Sequence, residues 1–223
     1  MATTRTTEQL RQLDRAHYLH PFTNLRSHSE QGGRIFSHAE HIYIYDSDGN
    51  RMLDGMSGLW CCNLGYSQSG IKEAIYTQLQ EMPYYNNFFQ CANQPAVELA
   101  RALVEVTPAQ FSHVFFTNSG TESLECSFKT ARRWHHENGN PERFEIITFD
   151  GAFHGRSLAA ISAGGNEKYM TGFGPKVEGF PHLSFGDHDA LKAAINENTA
   201  GILIEPIQGE GGIRPVPHQC LRG

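Results

Sequence analysis

Apolar and polar positions follow two rhythms along this 223-residue chain. Residues Thr6 to Tyr18 place Leu10, Leu13 and His17 on one stripe, which predicts an amphipathic helix. His20-Pro21-Phe22 ends it, because the residue before a proline is pushed out of helical space. This arm could lie on the surface or dock near a site or subunit interface. From Arg34 to Asp54 the rhythm shortens to that of strands. Ile35-Phe36, Ile42 to Tyr45 and Met52-Leu53, separated by turn formers such as Asp46 to Asn50, predict three antiparallel strands. A glycine-spaced loop carrying Trp60 runs from Gly55 to Gly65. Helices are predicted over Ile71 to Met82 and Pro95 to Val106, the second with proline in its first turn. Between them, residues 84–89 form a dense aromatic cluster that suits a core, or an interface where aromatics concentrate.

The most telling stretch is Val114 to Lys129. Val114, Phe115 and Phe116 suit a buried strand, and Thr117 to Gly120 break it. Helical spacing then begins at once, with Leu124, Phe128 and Ala131 on one face. Ser119 and Thr121 can act as cap or first-turn hydroxyls, and Gly120 leaves room for a ligand against the backbone. The free N–H groups and dipole of a helix start attract anions, so this turn is a candidate phosphate site. It equally fits a capped core helix without a ligand. Downstream, Phe144 to Phe149 reads as a strand, Asp187 to Ile195 as a short helix capped near Asp187, and Gly201 to Glu205 as another buried strand. Strand, helix, strand at this spacing predicts right-handed crossovers in a parallel sheet. Asp150 to Arg156 and Pro206 to Ile213 leave two of the strands at their C-terminal ends, where such sheets place ligands.

Composition narrows the reading. A net charge of -6 leaves no basic footprint for nucleic acid and no polybasic membrane patch. No apolar run reaches transmembrane length, and Met1 to Gln12 lack a signal-peptide core, so a cytoplasmic protein is expected. The 5 cysteines include the adjacent pair Cys61-Cys62 and no C-x-x-C, which argues against a disulfide framework or zinc site. The 12 histidines show no H-E-x-x-H or similar spacing, so no metal site is expected. A serine hydrolase using Ser119 would need G-x-S-x-G, but Thr117 stands at the first glycine position; no G-x-x-x-x-G-K-[ST] exists for a P-loop.

Five segments carry a family resemblance: G-L-W-C at 58–61, Y-N-N-F-F at 85–89, T-N-S-G-T-E at 117–122, F-H-G-R at 153–156 and E-P-I-Q-G-E at 205–210. In this order the chain resembles the first half of a class III pyridoxal-phosphate aminotransferase, the group holding acetylornithine, diamine and ω-amino-acid–pyruvate transaminases. The resemblance implies an α/β protein of fold type I, with an incomplete, mostly parallel large-domain sheet and an N-terminal antiparallel segment. Residues 1–60 would be the arm and small-domain strands, and 61–223 the first part of the cofactor-binding large domain. It further implies a homodimer acting on small amine and keto acid substrates, with pyridoxal 5′-phosphate as cofactor.

Carried over by position, Ser119, Gly120 and Thr121 would hold the phosphate, and Phe153, followed by His154, would stack on the ring. Glu205 would stand beside the cofactor. Arg156 resembles a carboxylate-gripping arginine, as a guanidinium fork allows, although a surface salt bridge fits it as well. Glu210 resembles an acid that changes partner between half-reactions. Trp60 would wall the substrate pocket, and Phe88 and Phe89 would reach the neighbouring subunit's site. Transfer would run between an ω-amino donor and 2-oxoglutarate or pyruvate, the cofactor acting as electron sink. The family's cofactor-linking lysine and ring-nitrogen aspartate lie downstream of E-P-I-Q-G-E, and Lys72, Lys129, Lys168, Lys176 and Lys192 fall outside that position. The resemblance therefore implies a truncated enzyme with little turnover, self-associating through an exposed sheet, or a non-catalytic phosphate-binding remnant that pairs with a full-length subunit. No catalytic residue is assigned. The part before about Pro95 resembles diamine and β-alanine transaminases, and the part after about His113 resembles acetylornithine transaminases.

Overall fold

The structure, a computed structural model, describes residues 5–222; Met1 to Thr4, the start of the polar N-terminal stretch, and Gly223 lie outside the described residues. The chain divides into two compact units, one ending at Val97 and the other beginning at Glu98.

In the first unit, helix α1 (Thr7–His17) starts at a reciprocal cap: the Gln9 amide donates to Thr6 Oγ1, and the Thr6 amide donates to Gln9 Oε1. A second helix, α2 (Leu25–Gln31), is capped by Asn24 and was not foreseen from periodicity, because it spans only 7 residues. Strands β1 (Phe36–Glu40), β2 (Tyr43–Asp46) and β3 (Arg51–Leu53) form the expected antiparallel sheet, with Ala39 opposite Ile44 and Ile44 opposite Met52. The one-turn element α3 (Ser57–Trp60) follows, then α4 (Ser69–Glu81). Helix α5 (Gln94–Val106) crosses the boundary into the second unit.

The second unit is built around α6 (Gly120–Glu137) and a parallel sheet. Strand β4 (Glu145–Phe149) lies at the centre, flanked by β5 (His182–Leu183) and β6 (Thr199–Ile202). Thr148 pairs with His182, and Glu145 with Thr199. Helices α7 (Leu158–Ala163) and α8 (Glu167–Met170) make the crossover from β4 to β5, and α9 (His188–Ala194) leads from β5 to β6. Asp187 caps α9 as expected, its carboxylate accepting from the Ala190 amide. Strands β7 (Ile207–Gln208) and β8 (Arg214–Pro215) form a small hairpin, followed by α10 (His218–Arg222). The face of α6 carrying Leu124 and Phe128 packs on Ile146, Ala163 and Phe180, with the rings of Phe128 and Phe180 4.9 Å apart. Burying a phenylalanine of this kind stabilises by about 1.5–3 kcal/mol.

Three expectations are corrected. Val114 to Phe116 form no strand: among the described residues no strand lies beside them to pair with their amides, and Phe115 remains 76% exposed. The parallel sheet therefore gains its third strand from β5 instead, whose 2 residues are too short for a sequence signal. The aromatic cluster at 84–89 does not enter a core; Tyr84, Phe88 and Phe89 are exposed. Strand β6 ends at Ile202, so Glu205 lies in the loop beyond it rather than at its end.

Candidate functional site

The start of α6 is capped as expected, although the strand expected before it is missing. Ser119 is its N-cap, with an extended backbone, and Ser119 Oγ accepts from the Glu122 amide at 3.2 Å. The first intrahelical bond runs from the Ser123 amide to the Ser119 carbonyl, so the N–H groups of Gly120 and Thr121 precede it. A Cβ built on Gly120 meets nothing within 4 Å, which leaves the approach to those amides open. Thr117 Oγ1 bonds Ser123 Oγ at 2.6 Å and tightens the turn. Glu122 bends back to accept from the Asn118 amide at 2.7 Å, which draws its negative charge towards the turn behind the cap.

The F-H-G-R turn after β4 lies against this helix start. Thr121 Oγ1 accepts from the Arg156 amide at 3.2 Å, leaving the hydroxyl's own proton to donate elsewhere. Gly155, at φ +124°, fits where a Cβ would fall 2.5 Å from Thr121 Oγ1. One residue on, Ser157 Oγ donates to Glu125 Oε1 at 2.5 Å, a second tie between the turn and α6 that the motifs did not disclose. Phe153 stands edge-on to Tyr169, ring centroids 6.0 Å apart, and its amide donates to Glu205 Oε2 at 3.0 Å. The other oxygen of Glu205 accepts from the Gly209 amide at 3.4 Å, so this carboxylate joins the F-H-G-R turn to the E-P-I-Q-G-E loop.

His154 is buried, and its Nε2 has no hydrogen-bond partner among the described residues. Burial, with the charge of His182 adding to it, pushes its pKa down to about 4, so the ring is neutral at pH 7. Gln208, fully buried, was not singled out in the sequence, although it stands inside E-P-I-Q-G-E. Its Nε2 donates to the Asp150 carbonyl at 3.1 Å, and its Oε1 accepts from Arg214, which also reaches that carbonyl. Together they fix the loop leaving β4.

Arg156 and Glu210 are exposed. Trp60, Phe88 and Phe89 belong to the other unit. Around Trp60 the backbone is left-handed at Ser57, Gly58, Leu59 and Trp60, a run that costs about 1–2 kcal/mol per non-glycine residue. Asp54 holds it: its carboxylate accepts from the amides of Met56 and Gly58 and from Tyr66 Oη at 2.5 Å. Two broad hollows, of about 900 and 600 Å³, lie along α6 near Trp134; the second reaches Thr117 and Ser123 at the helix start, and neither is lined by Thr121 or Gly155. Their place among Phe144, Phe115 and Ala200 suits packing more than substrate chemistry.

The chain as a whole has counterparts among known proteins. Residues 26–223 match the family model for aminotransferase class-III. The chain is 52% identical over 187 residues to an acetylornithine aminotransferase of Agrobacterium fabrum, covering 84% of this chain and 46% of that protein. It is 36% identical over 228 residues to a putrescine–pyruvate aminotransferase of Pseudomonas aeruginosa, covering 93% and 50%. Among solved structures it overlays an (S)-enantioselective ω-transaminase of Thermomicrobium roseum with a TM-score of 0.92 at 32% identity, over 98% of this chain and 54% of that one. A Pseudomonas jessenii ω-transaminase in complex with PMP overlays with a TM-score of 0.90 at 30% identity, over 96% and 52%. The expected architecture of a partial fold type I transaminase domain is thus borne out, and the chain spans about half the length of the curated relatives it matches. From the family match and these overlays together, the chain belongs to the class III aminotransferases.

Proposed function

We propose that this chain supplies the phosphate-binding and ring-stacking half of a pyridoxal 5′-phosphate site, in a homodimeric aminotransferase. The enzyme would move an amino group between an ω-amino donor (acetylornithine, a diamine or an ω-amino acid) and 2-oxoglutarate or pyruvate. The carrying observation is the junction of Thr121 with Gly155 and Arg156, which brings a helix start and an aromatic turn together. When bound, the cofactor supplies the electron sink for breaking a C–H bond of the donor. The chain's own residues bind and orient. The amides of Gly120 and Thr121 and the hydroxyls of Ser119 and Thr121 take the phosphate ester, with about 0.3–2 kcal/mol from the helix dipole. Phe153, held by Glu205, offers its ring, and neutral His154 behind it adds no charge beneath the pyridine. Arg156 grips a substrate carboxylate, and Glu210 is the acid that changes partner between the half-reactions. Trp60 is the residue proposed for the wall of a substrate pocket, and Phe88 and Phe89 are those proposed to serve the partner subunit's site. The acetylornithine and putrescine relatives support this range of donors.

A second reading, a non-catalytic phosphate-ligand binder, rests on one observation. Lys72, Lys129, Lys168, Lys176 and Lys192 are all exposed, whereas a lysine that links the cofactor needs a sheltered position facing it. Titration with pyridoxal 5′-phosphate followed by borohydride reduction and peptide mapping separates the readings. Saturable binding is expected on the first proposal, and its absence overturns it. Reduction that marks one lysine alone overturns the second.

A further inference from the structure

Three side chains of the N-terminal arm converge outside the site described above. Asp14 lies in the last turn of α1, His20 in the loop after it, and His28 in α2. Nε2 of His20 is 2.7 Å from Asp14 Oδ1, and Nε2 of His28 is 2.8 Å from Asp14 Oδ2. One ligand atom from each residue lies within 4.8 Å of the others. The Asp14 and His28 side chains are only 9% and 13% exposed, and His20 is 24% exposed. The neighbouring cations are committed elsewhere, Arg11 to Asp48 and Arg15 to Glu8. A hollow of about 280 Å³ opens beside His28, between Arg15, Tyr18 and Leu25. Gly33 makes room for the ring, since a Cβ there would fall 2.8 Å from His28 Cε1.

We propose that Asp14, His20 and His28 form a binding site for a divalent cation of the zinc type, with a fourth position left for water. Two imidazoles and one carboxylate are a ligand set that zinc takes, at about 2.0–2.2 Å from each atom. Each imidazole faces a different oxygen of Asp14, and the ligand atoms lie within 4.8 Å of one another, so the side chains rearrange by fractions of an ångström to about an ångström to bring one atom from each to that range of a single ion. Binding replaces the two N–H···O bonds, with each Nε2 proton passing to Nδ1 of a neutral ring or to solvent from a charged one, and clamps α1, the His20 loop and α2 to one another. A merely structural cluster would keep the hydrogen bonds and ignore metal.

Untagged protein is titrated with Co²⁺, read by the visible absorption of a four-coordinate complex, with Zn²⁺ as competitor. One ion per chain is expected. His28→Gln and His20→Gln keep an N–H that can donate to Asp14 while deleting a ligand, and each should weaken uptake by at least about tenfold, since even outer-shell partners act on that scale. Uptake that both substitutions leave unchanged, or none at micromolar Co²⁺, overturns the site. Should either variant fail to fold, Zn²⁺ protection of His20 and His28 from diethyl pyrocarbonate in the unmodified protein decides. Selective protection of these two over exposed His136 supports the site, and equal rates with and without Zn²⁺ refute it.

Discussion

Gly155 sits so close to Thr121 that a Cβ on it would fall 3.0 Å from the Thr121 Cα as well as against its hydroxyl. Two motifs 34 positions apart in the numbering are thereby pressed into one cradle. Gly155→Ala would have to adopt φ +124°, which an L side chain rarely accepts, while also pushing the turn from the helix. The expected cost is about 1–3 kcal/mol in urea unfolding, with weaker binding of pyridoxal 5′-phosphate. An alanine variant of unchanged stability and affinity would show that the close approach is incidental.

Thr121 accepts from the Arg156 amide, which leaves its own proton for the phosphate of the proposed site. Thr121→Val deletes both, and Thr121→Ser keeps both. Fluorescence titration with pyridoxal 5′-phosphate should show about tenfold weaker binding for valine, near 1.4 kcal/mol, and little change for serine. Equal losses in the two variants would assign the residue a packing role instead.

Glu205 serves two amides with two oxygens. Glu205→Gln turns an N–H₂ towards one of them, so one amide loses its acceptor. Bonds to a charged acceptor are worth about 1.5–3 kcal/mol, and a stability loss of that order is expected by denaturant melts. Hydrogen exchange should quicken at the Phe153 and Gly209 amides; unchanged exchange there would rule the bridge out.

The neutral, buried His154 makes stability depend on pH with a definite sign. The unfolded chain protonates it near the ordinary 6.5, the folded one only near 4. Between those values the unfolded state holds more protons, so the stability present above pH 6.5 is lost as pH falls towards 4. The loss attributable to this residue is about 3 kcal/mol at most. Urea melts from pH 7 to pH 4.5 should show it, and His154→Leu should flatten that part of the profile. A slope that persists in full in the leucine variant would place its origin elsewhere.

The chain exposes many large apolar side chains in its second unit, among them Phe111, Phe115, Trp134 and Phe144. Such surface drives association. Analytical ultracentrifugation should show concentration-dependent self-association, and a sharp melt of a monomer at all concentrations would contradict this.

What the sequence disclosed, and what it hid, follows from the range over which each feature is encoded. The start of α6 was legible because Ser119, Gly120 and the spacing of Leu124 and Phe128 are local signals. The three N-terminal strands were legible for the same reason, with turn residues between them. Val114 to Phe116 misled, because apolar character states a wish for burial and not the presence of a pairing partner. Gln208 was hidden because its role depends on Asp150, 58 positions away. Asp14, His20 and His28 were hidden by uneven spacing across two helices and a loop, which no motif describes.

Comparing pyridoxal 5′-phosphate with pyridoxal, in the unmodified protein and in Thr121→Val, isolates the phosphate from the ring. The phosphate ester is expected to bind the unmodified protein at least about tenfold more tightly, a difference of about 1.4 kcal/mol, and the valine variant is expected largely to erase the preference. Equal affinity for the two ligands, or a preference that Thr121→Val leaves intact, would mean that the start of α6 is not where phosphate binds.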